Sequence, residues 1–386
     1  MNRYDVNNFV NITYNDSGYD LEDIVSVCKR HNNSKRDYLF VNHLQGKHVP
    51  VTPSKAIKLF ERLAERVEEA TIGEYNKIAV IGFAETATAI GRFVALNLRN
   101  CIYRGQTTRE VLENEPHLID FEEAHSHATQ QSLYGDVEKL KECDLILFVE
   151  DEITTGNTIL DFIDKFSKLL PNMKYAVASI LNWQSEENEN KFNQLGIKTF
   201  CLVGGYINDE KATLEVDSEY KICNKAHIMD STLIEEYSKK SKHTGFIVDR
   251  TLTENRPATV NSEDVEDMTL ILRDSKRVLV LGTEEYMYAG LSVAEQIEKN
   301  FDCEVKFQAT TRSPIIASED EGYVLKNKER MVSAYSLDRE TYLYNLDSYD
   351  LVLVVTDTEL SNEFKFSVYS AFKDRNSNVR LAILQK

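Results

Sequence analysis

Residues 145 to 158, LILFVEDEITTGNT, run from an unbroken apolar stretch through adjacent carboxylates into a threonine-bearing turn. A continuous apolar run bounded by polar residues suits a strand covered on both faces, so Leu145 to Val149 are expected to form a buried parallel strand. Strands and helices alternate on either side of it. That alternation implies an α/β fold built on an open, mostly parallel sheet with flanking helices. Glu150 and Asp151 then fall at the strand's C-terminal end, the crevice side of such a sheet, where they could accept hydrogen bonds from a vicinal diol. Thr154, Thr155, Gly156, Asn157 and Thr158 follow as a phosphate-sized turn. Gly156 permits a backbone that brings amide N–H groups inward, the threonine hydroxyls add donors, and the helix opening near Thr158 turns its positive end to an anion. Neither G-x-x-x-x-G-K-[ST] nor G-x-G-x-x-G occurs in the chain, so the competing phosphate motifs are absent.

This stretch resembles the PRPP-binding signature of type I phosphoribosyltransferases, in which apolar residues precede an acidic pair and a threonine- and glycine-bearing phosphate loop. Further on, Thr311-Arg312-Ser313-Pro314 resembles the motif that names the TRSP domain, which follows a phosphoribosyltransferase-like domain in proteins associated with bacterial tellurium-resistance gene clusters. The resemblance implies a first domain over residues 1 to 240, with 1 to 50 as a hood over the acceptor base, and a second, smaller α/β domain over 245 to 386. It also implies phosphoribosyl transfer from PRPP to a nitrogenous base or related small nucleophile, with pyrophosphate released, in a bacterial stress-linked pathway. Mg²⁺ would be held indirectly, through Glu150, Asp151 and the substrate. Because the fold also serves without catalysis, a PRPP-sensing regulator is the alternative.

The 386 residues, 42% hydrophobic and 28% charged, are enough for two ordinary cores. A net charge of −18 repels polyanions and argues against a nucleic-acid or anionic-membrane partner. No apolar run reaches the roughly 20 residues that span a bilayer, and MNRYDVNNFV lacks a signal-peptide pattern, so a cytoplasmic protein is expected. Six cysteines without C-x-x-C spacing read as reduced and mostly buried. A homodimer is a further expectation. No internal repeat or low-complexity tract is evident.

Other candidates follow the order of the chain. Thr52 or Ser54 can cap a helix whose apolar positions Ile57, Leu59, Phe60, Leu63 and Val67 carry helical spacing. Ile78 to Ile81 read as the first core strand, and Gly82 to Thr88 as the turn that the resemblance assigns to pyrophosphate. There Thr86 and Thr88 are donors, while Glu85 either points away or acts through water on Mg²⁺. The polar stretch from 104 to 135 is long enough for a lid. In it Arg109, and second Arg104, would meet the leaving group with a guanidinium fork. His125 and His127 are open to a substrate contact or to an ordinary surface role. Tyr175 to Leu181 and Lys198 to Val203 supply further strands, Gly204-Gly205 ending the second, and Tyr237 to Gly245 read as the linker. Beyond it, Thr311, Arg312 and Ser313 at a strand end suggest a second-domain anion site, unless Arg312 is structural, and Thr283 with Glu284 would share that crevice edge.

Overall fold

The computed structural model describes residues 3–31, 37–122, 130–208, 213–222, 231–238, 262–376 and 378–385. The first part contains β1 (Val10–Asn15), α1 (Leu21–Ile24), β2 (Val25–Lys29), β3 (Tyr38–Asn42), α2 (Pro53–Thr71), β4 (Ile78–Gly82), α3 (Thr88–Asn97) and β5 (Cys101–Thr108). It continues with β6 (His117–Glu122), β7 (Gln130–Tyr134), α4 (Val137–Lys141), β8 (Leu145–Ile153), α5 (Asn157–Leu169), β9 (Lys174–Asn182), α6 (Glu186–Gln194) and β10 (Lys198–Ile207). Its eight-stranded sheet has the order β1-β10-β9-β8-β4-β5-β7-β6. The strands β10, β9, β8, β4 and β5 are parallel, and antiparallel pairs close both edges. The second part contains β11 (Ile234–Ser238), α7 (Ser262–Leu272), β12 (Arg277–Gly282), α8 (Met287–Asn300), β13 (Glu304–Ala309), β14 (Lys328–Val332), β15 (Glu340–Tyr344), β16 (Leu351–Thr356), α9 (Asn362–Lys373) and β17 (Arg380–Gln385). Five of these strands form a sheet of order β11-β17-β16-β12-β13, all parallel.

The apolar runs of β4 and β8 are buried throughout because helices cover both faces of the sheet. On one face Phe83 just after β4, Phe148 of β8 and Phe162 of α5 pack together. On the other, α2 buries Ile57, Leu59, Phe60, Leu63 and Val67, as their spacing predicts. That second core is continuous across the two sheets, joining Leu59, Phe60 and Val94 to Leu291, Ala294 and Phe307. Phe93 of α3 meets Tyr288 of α8 with ring centroids 5.3 Å apart. The N-terminal segment bridges the two parts: the Val51 and Phe307 backbones exchange hydrogen bonds of 2.9 and 2.8 Å, and Arg30 bridges to Ile315. Among the described residues, no helix is long and apolar enough to cross a membrane.

Several expectations are corrected. The strand after Asp144 does not stop at Val149 but runs to Ile153, because β9 pairs alongside Glu150, Glu152 and Ile153. Gly204 and Gly205 lie inside β10 rather than ending it, since β1 pairs with both. Within the segment from 104 to 135, read as long enough for a lid, Thr107 and Thr108 pair with β7, and β6 and β7 form a hairpin on the main sheet. Residues 123–129, with His125 and His127, lie outside the described residues. Tyr237 and Ser238, read as linker, belong to β11 and pair with β17 of the second sheet, while 239 to 245 lie outside the described residues. Thr52 precedes α2 without a side-chain cap bond, because its hydroxyl accepts from Lys306 Nζ at 3.0 Å instead.

The end of β4 meets the start of α3 closely enough that a Cβ on Gly91 would lie 2.9 Å from the Gly82 Cα. Backbone atoms cannot move aside there as a flexible side chain would. Gly91→Ala is therefore expected to destabilise the protein by about 1–3 kcal/mol, the usual cost of overpacking, read as a lower denaturation midpoint. An unchanged midpoint would show that strand and helix can separate freely.

Candidate functional site

One cavity of about 340 Å³ opens where the C-terminal ends of β4, β5 and β8 meet the end of β13. Its floor is the acidic end of β8. Glu150 and Asp151 both line it and both are half-buried. The Thr86 hydroxyl donates to Asp151 Oδ1 at 2.9 Å, yet burial raises the Asp151 carboxyl above the usual range, the Thr86 bond only opposing the shift. Beyond Ile153 the chain turns through Thr154 and Thr155 to Gly156, whose φ of 75° is left-handed and starts α5. A Cβ there would lie 2.5 Å from the Phe192 ring, so backbone conformation and space both call for glycine. Asn157 and Thr158 open the helix. Thr154, Thr155, Gly156, Asn157 and Thr158 all line the cavity, at the end of a 13-residue helix whose first N–H groups have no intrahelical acceptor.

The facing wall is the turn after β4. Glu85 does not point away into solvent but lies among cations. It is 6% exposed and ion-paired with Lys47, with Arg109 Nη1 at 3.5 Å and with Arg312 Nε at 3.9 Å. Burial alone would raise its carboxyl, but Lys47, Arg109 and Arg312 overcome that and hold it at about 2. The resulting anion carries three cations around it. Lys47, fully buried, also donates to the carbonyls of Glu284 and Thr310 at 3.1 and 3.0 Å. Arg109 lines the cavity, and its backbone N–H donates to Glu285 Oε1 at 2.9 Å.

Two expected donors lie elsewhere. Thr88 is buried on α3 and its hydroxyl donates to the Glu285 carbonyl at 2.9 Å, so it holds the two parts together instead of facing the cavity. Arg104 is buried within β5, paired opposite Val80, and is not part of the cavity wall. The proposed second anion site is also relocated. Thr311, Arg312 and Ser313 line this same cavity, and the Arg312 guanidinium is held by Glu284 at 2.6 Å and Glu110 at 2.5 Å. Thr283 and Glu284, expected on that crevice edge, are both fully buried and do not line the cavity; Glu284 reaches it only through Arg312. Lys47 and His48 were not singled out from sequence; adjacent basic residues between Gly46 and the apolar Val49-Pro50-Val51 were the available signal. Arg30, His31, Leu39 and Phe40, from the N-terminal segment, complete the wall. Among the described residues no cluster of three or more His, Cys, Asp or Glu is placed to hold a metal ion, and the five described cysteines are free thiols.

Residues 24–203 match the model of the phosphoribosyl transferase family, and residues 250–372 match the TRSP domain found C-terminal to it. The chain joins a phosphoribosyltransferase domain to a TRSP domain. A search of curated proteins finds no match in sequence. Solved structures similar to the phosphoribosyltransferase domain include adenine phosphoribosyltransferase from Trypanosoma brucei, in complex with AMP, pyrophosphate and ribose-5-phosphate (11% identity, 47% of this chain, 77% of that chain, TM-score 0.35). Others are the Giardia lamblia enzyme with 9-deazaadenine (13%, 37%, 78%, 0.29) and Mycobacterium tuberculosis orotate phosphoribosyltransferase with inorganic phosphate (15%, 42%, 89%, 0.27).

The charge on Glu85 has a pH signature. Its carboxyl is depressed from 4.5 to about 2, so its contribution to stability is complete above 4.5 and is lost as pH falls towards about 2. Glu85→Gln should cost about 3–5 kcal/mol near neutrality, because Lys47 stays buried without its counter-charge. That penalty should shrink as acid titrates the wild type. Chemical denaturation at several pH values checks it, and a pH-independent difference would contradict the assignment.

Proposed function

We propose that the chain transfers the phosphoribosyl group of PRPP to a nitrogenous base or related small nitrogen nucleophile, releasing pyrophosphate. The observation that carries this reading is the convergence of Glu150, Asp151, Thr86, Arg109 and the Thr154–Thr158 turn on one cavity. Thr154, Thr155 and Thr158, with the first N–H groups of α5, hold the 5-phosphate. Glu150 and Asp151 orient the ribose hydroxyls and set negative charge beside C1 as the oxocarbenium character develops. Arg109 meets the departing pyrophosphate, whose charge no other part of the reaction can disperse as well. Mg²⁺, bound through substrate oxygens with Glu150 and Asp151, would supply charge neutralisation of the leaving group. Leu39 and Phe40 offer an apolar wall suited to a planar acceptor, and the hood screens it from water. No covalent nucleophile is required: positioning and electrostatics do the work.

A glutamate in the pyrophosphate turn argues at first for a regulator that binds PRPP without turning it over. Lys47, Arg109 and Arg312 around Glu85 remove that objection, because they neutralise its charge while Arg109 and Arg312 still line the cavity. This favours the enzyme; its placement in a cytoplasmic, bacterial stress-linked pathway rests on the sequence resemblance alone.

PRPP or ribose 5-phosphate at 100 times its Kd should stabilise the protein by about 2.7 kcal/mol. Thr155→Asp should abolish the stabilisation by charge repulsion, and Glu150→Gln with Asp151→Asn should cut pyrophosphate release from PRPP far more than stability. Thermal denaturation with each ligand, and a pyrophosphate assay across a panel of bases, decide it. Equal ligand stabilisation of wild type and Thr155→Asp would remove the loop from the site.

A further inference from the structure

The two sheets share more than a class. The order β9-β8-β4-β5 in the first is the order β17-β16-β12-β13 in the second, with each helix crossover in the corresponding place. Register fixes the correspondence residue by residue. Gly82 pairs opposite Gln106 and Val149, and Gly282 pairs opposite Ala309 and Val355. Counting onward from Gln106 and Ala309 lays Thr107-Thr108-Arg109 on Thr310-Thr311-Arg312, an identity that pairing alone predicts.

The local hydrogen bonds repeat as well. The Ala84 N–H donates to Thr107 Oγ1 at 2.8 Å, and the Glu284 N–H to Thr310 Oγ1 at 3.0 Å. Past the arginine's neighbour, the Glu110 N–H donates to Thr108 Oγ1 at 3.1 Å and the Ser313 N–H to Thr311 Oγ1 at 3.2 Å. Each copy also carries a hairpin whose second strand pairs with its threonines, Thr108 with Ser132 and Thr311 with Tyr342. The glycine approach recurs too: a Cβ on Gly290 would lie 3.3 Å from the Gly282 Cα. The absence of a repeat in the sequence reading is therefore corrected.

The copies face each other reciprocally. The Arg109 N–H donates to Glu285 Oε1 at 2.9 Å, and the Arg312 N–H to Glu85 Oε1 at 3.4 Å, while Glu85 and Glu285 occupy matching places after Gly82 and Gly282. Such exchange of equivalent contacts is the mark of a two-fold interface, here folded into one chain. The copies are unequal in chemistry. Counting from Val149 and Val355, the second copy has Leu360, Ser361 and Asn362 where the first has Thr154, Thr155 and Gly156. Ser361 caps its own helix, accepting from the Phe364 N–H at 3.0 Å, and Glu363 puts negative charge in the first turn. Its crevice is closed further by Tyr335, whose hydroxyl lies 2.7 Å from Asp357 Oδ1.

We propose that the TRSP domain is a divergent second copy of the phosphoribosyltransferase unit that has lost its own phosphate loop and completes the first copy's site by presenting Arg312 to the pyrophosphate of PRPP. The inference rests on the phosphoribosyl-transfer reading. Glu284 and Glu110 engage two of the five guanidinium N–H groups and fix the side chain at the cavity wall, leaving others for phosphate oxygens. Arg109 from one copy and Arg312 from the other then flank the leaving group.

The test uses the full chain and two probes, ribose 5-phosphate and Mg²⁺–PRPP, titrated calorimetrically alongside pyrophosphate release. Because Arg312→Ala leaves the buried Glu284 with Arg339 as its remaining ion-pair partner, the double variant Arg312→Ala with Glu284→Gln and the single variant Arg312→Lys are compared, folding being checked by denaturation midpoint. Ribose 5-phosphate should bind all of them within about twofold of wild type. PRPP affinity or pyrophosphate release should fall about 100-fold in the double variant, with lysine recovering only part. A folded double variant that handles PRPP as wild type does would overturn the proposal, and so would a lysine variant that loses both ligands alike, since that marks a purely structural arginine. Wild type that binds neither ligand would overturn the phosphoribosyl reading and this inference with it.

Discussion

The buried Glu85 carboxylate organises the seam on which the site depends. A carboxylate removed from water survives as an anion only with strong compensation, and here Lys47 comes from the N-terminal segment, Arg109 from the end of β5 and Arg312 from the turn after β13. Three separate stretches of chain are thus tied to one charge. Lys47 extends the tie by donating to the Glu284 and Thr310 carbonyls, and Arg312 extends it through Glu284 and Glu110. Replacing Glu85 with an apolar group would leave the buried Lys47 without its counter-charge. The cluster therefore specifies how the two sheets face each other, while the shared apolar core beneath it supplies most of the cohesion.

This arrangement resolves an apparent conflict in the chemistry. The chain is strongly acidic, and the cavity wall includes Glu85, Glu150, Asp151 and Glu152, yet the ligand proposed for it is a polyanion. The conflict disappears when the charges are separated in space. The acids at the end of β8 lie where a ribose and a developing cation would sit, and the arginines stand opposite, clustered on Glu85. The phosphate loop needs no side-chain cation, because the N-terminal end of α5 and three hydroxyls serve. Long-range repulsion then selects for local geometry: an anion gains nothing from the surface at large and must find this cavity.

Much of this could be read from residue order because it depends on local sequence. The β8 strand, the acidic pair and the Thr154–Thr158 turn are contiguous, and their periodicity and turn chemistry act within a few residues. What escaped is non-local. Nothing near Glu85 in sequence announces Lys47 or Arg312, so its burial was invisible and its role was left between solvent and metal. Thr88 was assigned from its place in the pyrophosphate turn and Arg104 as a basic residue of a lid, but tertiary packing gave one to the interface and the other to a strand interior. The strand lengths were underestimated at Val149 and Gly204 because neighbouring strands, not propensity, extend the pairing there. The duplication was hidden because buried strands from any source are runs of Val, Ile and Leu. Only register shows that the threonines and arginines occupy the same places.

The most direct measurement is the structure of the full chain with Mg²⁺ and PRPP bound. The account predicts the 5-phosphate within hydrogen-bond distance of Thr154, Thr155 and the first N–H groups of α5, with the pyrophosphate between Arg109 and Arg312. A PRPP molecule whose pyrophosphate turns away from the seam, with Arg312 engaged only by Glu110 and Glu284, would contradict it.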